Sequence, residues 1–113
     1  MEKTLTEAEI KVLELLWKFG QMPAKELGIA LKERHGWSKS TTYTVLNRMI
    51  EKDLIKRLDH QFTCLPKVSK VQAQTMETAR LIEKLFDGSM DDMIDMLHRQ
   101  QRKTGVQRFN DAV

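Results

Sequence analysis

Residues 38–49 read SKSTTYTVLNRM, and this run constrains the fold more than any other. Ser, Thr, Tyr and Val are mediocre helix formers, so local propensity reads the run as strand or loop. The apolar residues say otherwise. Val45, Leu46, Met49 and Ile50 stand at i, i+1, i+4 and i+5, one stripe of a helix. Such a helix holds only if its stripe is buried, so the neighbouring residues must supply a core. Ser38 or Ser40 can cap its start, and Asp53 occupies the position where a terminating glycine is expected.

The partner elements lie upstream. Thr6, followed three residues later by Glu9, forms a capping box. Ile10, Val12, Leu13, Leu15, Leu16 and Trp17 then make a broad helical face that Gly20 ends. The segment QMP is too short for a helix but can add one short strand to a sheet. Pro23 suits the first turn of a second helix, in which Leu27, Ala30 and Leu31 share a face and which Gly36 ends. GWSKS is the turn into the opening run, which gives a helix-turn-helix layout. Residues 54–66, LIKRLDHQFTCLP, read as a short hairpin, with Leu54, Ile55 and Leu58 on one arm and Phe62, Cys64 and Leu65 on the other. Only DH separates the strands in this reading, and Pro66 ends the second. Three helices and a basic hairpin follow the order of a winged helix-turn-helix.

The remainder reads as helical. Ser69 can cap a helix whose apolar stripe is Val71, Met76, Ala79, Ile82, Leu85 and Phe86. DGS interrupts it, and Met90, Met93, Ile94 and Leu97 line a second amphipathic helix. A lone chain would leave these stripes exposed, and exposed stripes of this size mark an interface, so they are expected to carry dimerisation. TGVQRFNDAV has no periodicity. The expected architecture is mainly α with a small β-hairpin: a winged-helix domain over 1–68, C-terminal dimerisation helices over 69–98, and a flexible tail over 99–113.

Composition narrows the function classes. The 113 residues hold no apolar run near the ~18 residues of a membrane span, and MEKTLTEAEI has no signal-peptide core. The one cysteine, Cys64, excludes an intrachain disulfide and a multi-cysteine zinc site and points to a reducing cytoplasmic compartment. Residues 1–68 carry 12 Lys and Arg against 9 Asp and Glu, whereas residues 69–113 carry 7 of each, so the positive surplus lies in the first part. His35, His60 and His98 are scattered, and no Ser/His/Asp set or paired carboxylates stand out. No enzyme, cofactor or metal site is expected. Trp17 and Trp37 read as structural, and Cys64 as a buried small hydrophobe. The spacing of Met90, Met93 and Met96, with His98 nearby, can hold Cu(I) through soft thioethers. The same spacing describes any buried helical stripe, and packing is the expectation.

With its apolar stripe turned inward, the helix of residues 40–52 turns Ser40, Tyr43, Thr44, Asn47 and Arg48 outward. Asn can bond adenine bidentately, Arg can bond guanine, and the Thr methyl can meet thymine. Lys39 lies just before these residues, and Lys56, Arg57 and His60 lie on or near the hairpin, where cations can meet phosphates. Periodicity alone leaves an ordinary solvated face equally open.

The motifs LTEAEIKVLELLW and GWSKSTTYTVLNRMIEKDLI, their spacing, and the PKVS after the hairpin resemble the penicillinase-repressor family (the BlaI, MecI and CopY relatives), over roughly residues 5 to 98. The resemblance implies a bacterial winged-helix repressor, with an N-terminal DNA-binding domain and a C-terminal dimerisation segment. Its partners would be a second copy of itself and a palindromic double-stranded operator, with residues 40–52 in the major groove and no membrane involved. Departures are visible. Asp53 replaces the usual glycine, and Tyr43 stands where relatives carry Arg or another variable residue. Met96–Leu97 occupies the place of the Asn–Phe bond cut in antibiotic-responsive members, so the inactivating protease is unknown. The cysteine cluster of copper-responsive members is missing after Cys64. Two alternatives remain at this point: a winged helix that binds another protein, and a methionine-based Cu(I)-responsive regulator.

Overall fold

The computed structural model of the chain describes residues 4–59, 61–105 and 108. Helix α1 (Glu7–Phe19) leads through strand β1 (Met22–Pro23) to α2 (Ala24–His35) and α3 (Lys39–Glu51). Strands β2 (Ile55–Arg57) and β3 (Thr63–Pro66) follow, and then α4 (Lys70–Phe86) and α5 (Met90–Thr104). The chain divides into two compact units, residues 1–74 and 75–113.

The capping box forms as expected. Thr6 Oγ1 accepts the Glu9 N–H at 3.2 Å, and the Thr6 N–H donates to Glu9 Oε1 at 2.9 Å. Glu9 is wholly buried and has a second partner. Lys52 Nζ donates to its two carboxylate oxygens at 2.7 and 3.0 Å and to the Thr4 carbonyl at 2.6 Å. One carboxylate therefore ties the start of α1 to the end of α3. Without those donors its burial would carry a large desolvation penalty.

Helix α3 holds against its propensity because one face is buried. Thr42, Val45, Leu46 and Met49 lie at i, i+3, i+4 and i+7 and are buried, while Ile50 is half-buried. Each mediocre helix former costs about 0.5 kcal/mol relative to alanine. Burying Leu46 or Met49 returns roughly 1.5–3 kcal/mol, so a few such residues offset the run. Ser38 is the N-cap, with its Oγ accepting the Thr41 N–H at 3.1 Å, which leaves Ser40 exposed. At the far end Asp53 adopts φ 61°. The Leu54 N–H donates to the Met49 carbonyl at 2.9 Å and the Asp53 N–H to the Ile50 carbonyl at 3.0 Å. These are the two bonds of a Schellman stop, with aspartate in the left-handed position that glycine usually takes.

The sheet is antiparallel in the order β1-β3-β2, with Met22 opposite Cys64 and Lys56 opposite Leu65. QMP thus contributes the short edge strand, where a proline is tolerated. Pro23 is the N-cap of α2 and not a residue of its first turn; its φ of −62° and ψ of 147° are extended. Trp17 is half-buried, and its Nε1–H donates to the Val68 carbonyl at 2.9 Å. With Ala73 buried as well, the first turn of α4 belongs to the winged-helix unit.

Ser69 caps α4 reciprocally. The Gln72 N–H donates to Ser69 Oγ at 3.0 Å, and the Ser69 N–H to Gln72 Oε1 at 2.8 Å. In the second unit α5 runs on to Thr104, and Gly105, at φ 71°, closes it. This corrects the expectation of a tail from residue 99: Arg99–Thr104 continue the helix, and basic residues Arg102 and Lys103 sit favourably in its last turn.

Two predictions follow from this core. Thr42 Oγ1 is buried and has no hydrogen-bond partner among the described residues. Thr42→Val removes that orphan hydroxyl at nearly constant shape and should stabilise the fold by about 1 kcal/mol in urea unfolding; a loss of stability would show that the hydroxyl has a partner. Burial pushes the Cys64 thiol up from 9.0 to about 11 against the opposing pull of Arg57. Because the folded value lies above the unfolded one, the stability it contributes is full below pH 9 and is lost as pH rises towards 11. In the native chain Cys64 should resist alkylation at pH 8 until urea unfolds it, whereas immediate labelling would contradict its burial.

Candidate nucleic-acid interface

The outward face of α3 is as the stripe implies. Lys39, Ser40, Thr44, Asn47 and Arg48 are exposed, and Tyr43 is half-buried. Lys39 opens the helix and Arg48 sits in its last turn. The first unit therefore presents hydroxyl, amide and guanidinium groups along one helix, with none of them consumed by the core.

The surroundings of this helix are basic. A groove between α2 and the start of α3 is lined by Lys25, Lys32 and Lys39, with Ile29, Trp37 and Tyr43 among its less polar residues and no acidic residue in its lining among the described residues. Lys25 and Lys32 were not singled out by the sequence reading. They lie seven residues apart, two helical turns, and that spacing to Lys39 across the turn was the available signal. Trp37 is half-buried beside His35, with ring centroids 6.3 Å apart. Lys52 and Lys67, by contrast, are engaged with Glu9 and Asp53.

The wing differs from the expected hairpin. Its strands are separated by Leu58–Phe62 and not by DH alone. Asp59 is the reason: its Oδ1 accepts the Gln61 and Thr63 N–H groups at 3.0 and 3.3 Å, closing an Asx-type turn. Phe62 is consequently a turn residue with φ 57°, not part of a strand. Lys56 and Arg57 are exposed on β2. Adjacent strand residues point to opposite faces, and Arg57 turns to the Phe62 ring, with its guanidinium carbon 4.2 Å from the centroid. His60 lies outside the described residues.

The expected dimerisation residues fall on two helices. Val71, Ala79, Leu85, Met90 and Ile94 are exposed, and Met76, Ile82, Phe86, Met93 and Leu97 are half-buried. Leu81, absent from the expected stripe, adds to the exposed apolar surface of α4. Among the described residues α5 has none that is fully buried. Met96 is half-buried on the same helix, and no cluster of three or more His, Cys, Asp or Glu that could hold a metal ion occurs among the described residues.

Comparisons with known proteins agree with this geometry. The family model described as "Penicillinase repressor" matches residues 5–109. An "Uncharacterized 16.5 kDa protein in ptsI 3'region" of Latilactobacillus sakei is 26% identical over 83 residues, which span 72% of this chain and 57% of that protein. A "Penicillinase repressor" of Bacillus licheniformis is 21% identical over 92 residues, 80% of this chain and 72% of that one. Among solved structures, the "DNA binding domain of the repressor BlaI" superposes with a TM-score of 0.57 at 25% identity, covering 64% of this chain and 93% of that domain. The first unit is thus a winged helix of the BlaI type, and the match to the family model continues through α4 and α5. The chain belongs to the penicillinase repressor family.

Proposed function

We propose that the chain is a transcriptional repressor that binds duplex DNA as a homodimer. The observation that carries the reading is the face of α3. Ser40, Thr44, Asn47 and Arg48 project from a helix whose other side is core, on a fold shared with the DNA-binding domain of BlaI. In this reading α3 enters the major groove. Lys39, Lys25 and Lys32 beside it, and Lys56 and Arg57 on the wing, meet phosphates. Phosphate contacts set position and much of the affinity, and base contacts set the sequence. Two copies joined through α4 and α5 would place two α3 helices on a palindromic site, about one helical turn apart. Occupying a promoter in this way blocks transcription, and no catalytic step is required.

The exposed side chains of Leu81, Leu85, Met90 and Ile94 support the dimer, because a chain acting alone would leave this surface in water. Sedimentation at micromolar concentration should give a dimer, and Leu85→Glu should shift it towards monomer; a wild-type monomer would count against the reading.

Two substitutions separate the DNA-binding roles. Arg48→Ala should weaken binding to a duplex selected by the protein by roughly 1–3 kcal/mol and relax its sequence preference. Lys56→Ala should weaken selected and random duplexes alike and lower the salt slope by about one. Unchanged selected-site affinity in Arg48→Ala would remove α3 from the interface. Negligible affinity of the wild-type chain for random duplex at low salt would favour a protein-binding role for the winged helix.

A further inference from the structure

Phe62 occupies a position that its side chain makes costly. Its φ of 57° is left-handed, which bulky L residues rarely adopt, and Gly, Asn or Asp would hold the same turn with less strain. What phenylalanine adds is its ring. The ring stands edge-on to Tyr43, with centroids 5.6 Å apart and planes at 76°. On it lies the Arg57 guanidinium at 4.2 Å, and Arg57 Nε–H also donates to the Asp59 carbonyl at 3.1 Å. The backbone of the same residue reaches a third element: the Phe62 carbonyl accepts the N–H of Ala24, the first residue of α2, at 2.8 Å. Phe62 therefore joins the wing to α2 by its carbonyl and to α3 by its ring.

We propose that Phe62 is a positioning residue that locks the wing to the recognition helix, so that Tyr43 and Arg57 reach DNA as one preassembled surface. This rests on the DNA-binding reading above. A guanidinium already stacked on a ring has its plane set before it meets a phosphate and loses less freedom on binding. Tyr43, held edge-on, is likewise restricted before it meets the groove. Removing the ring leaves every charge in place. It should therefore spare non-specific affinity, which follows from the number of phosphate contacts, and impair recognition of a specific site, which needs α3 and the wing in register.

Phe62→Gly is the informative variant, because glycine keeps the left-handed turn and the carbonyl bond to Ala24 while relieving the strain. The probes are a duplex selected from a randomised library by the wild-type chain and a random duplex of equal length. Phe62→Gly should melt close to wild type and keep the random-duplex affinity and salt slope. It should lose about tenfold on the selected duplex, as expected when two side chains must be ordered on binding. Phe62→Tyr should recover most of that loss. Arg57→Ala and Tyr43→Ala should be non-additive in the wild-type background and additive in Phe62→Gly. Wild-type affinity of Phe62→Gly for the selected duplex, an equal loss on both duplexes, or a large fall in melting temperature would each overturn the coupling. If the wild-type chain selects no duplex and ignores random DNA, the DNA-binding reading fails and the coupling fails with it.

Discussion

Helix α3 is held by burial on one side, and this division of its surface governs the rest of the molecule. Thr42, Val45, Leu46 and Met49 supply the packing that compensates for a sequence of mediocre helix formers. Because the inner face carries the stability, the outer face is free to hold hydroxyls, an amide and a guanidinium that a helix chosen for propensity would lack. Both ends of the helix are pinned as well. Ser38 satisfies an N-terminal donor, and the Schellman bonds around Asp53 turn the chain directly into β2. The ion pair between buried Glu9 and half-buried Lys52 then fastens that C-terminal end to the start of α1.

The wing depends on the same scaffold. β3 lies between β1 and β2, so the hairpin is fastened to the helical unit through Met22 and Pro23. Asp59 folds the turn, and Phe62 carries it back to α2 and α3. A hairpin this short has little stability of its own. The pairing with β1 and the Phe62 carbonyl bond to Ala24 fasten it, and the ring contacts of Phe62 orient Tyr43 and Arg57. The lysine-lined groove beside α3 and the exposed Lys56 and Arg57 of β2 thus belong to the same compact unit.

Much of this was legible in the residues. Periodicity located the five helices of the described residues, and the chemistry of Thr6/Glu9, Ser69 and Asp53 located three of their ends. The outward set on α3 followed from the inward stripe. What escaped had physical causes. Thr42 is polar, so a hydrophobic stripe does not include it, although i, i+3, i+4 and i+7 geometry does. Phe62 looked like a strand residue because left-handed conformations are rare for aromatics, and only the carboxylate of Asp59 makes the turn long enough to contain it. Lys25 and Lys32 join the candidate site through the packing of α2 on α3, and their seven-residue spacing hints only that they share a helix face. The end of α5 was set too early because QRKT lacks apolar residues, yet an exposed helix ending in Arg102, Lys103 and Gly105 does not need them.

The second unit has a different character. Its helices leave large apolar side chains in water and carry balanced charge, which suits a surface that meets protein, while the first unit carries the positive surplus. The central claim is that the outer face of α3, with the wing beside it, is where DNA is read. The most direct test is an NMR titration of the ¹⁵N-labelled chain with a duplex that it has selected. The account predicts shifts centred on Lys39, Ser40, Thr44, Asn47 and Arg48, with Lys56 and Arg57 following and Val12 and Leu13 unmoved. Shifts confined to residues 75–104, or absent from α3, would contradict it.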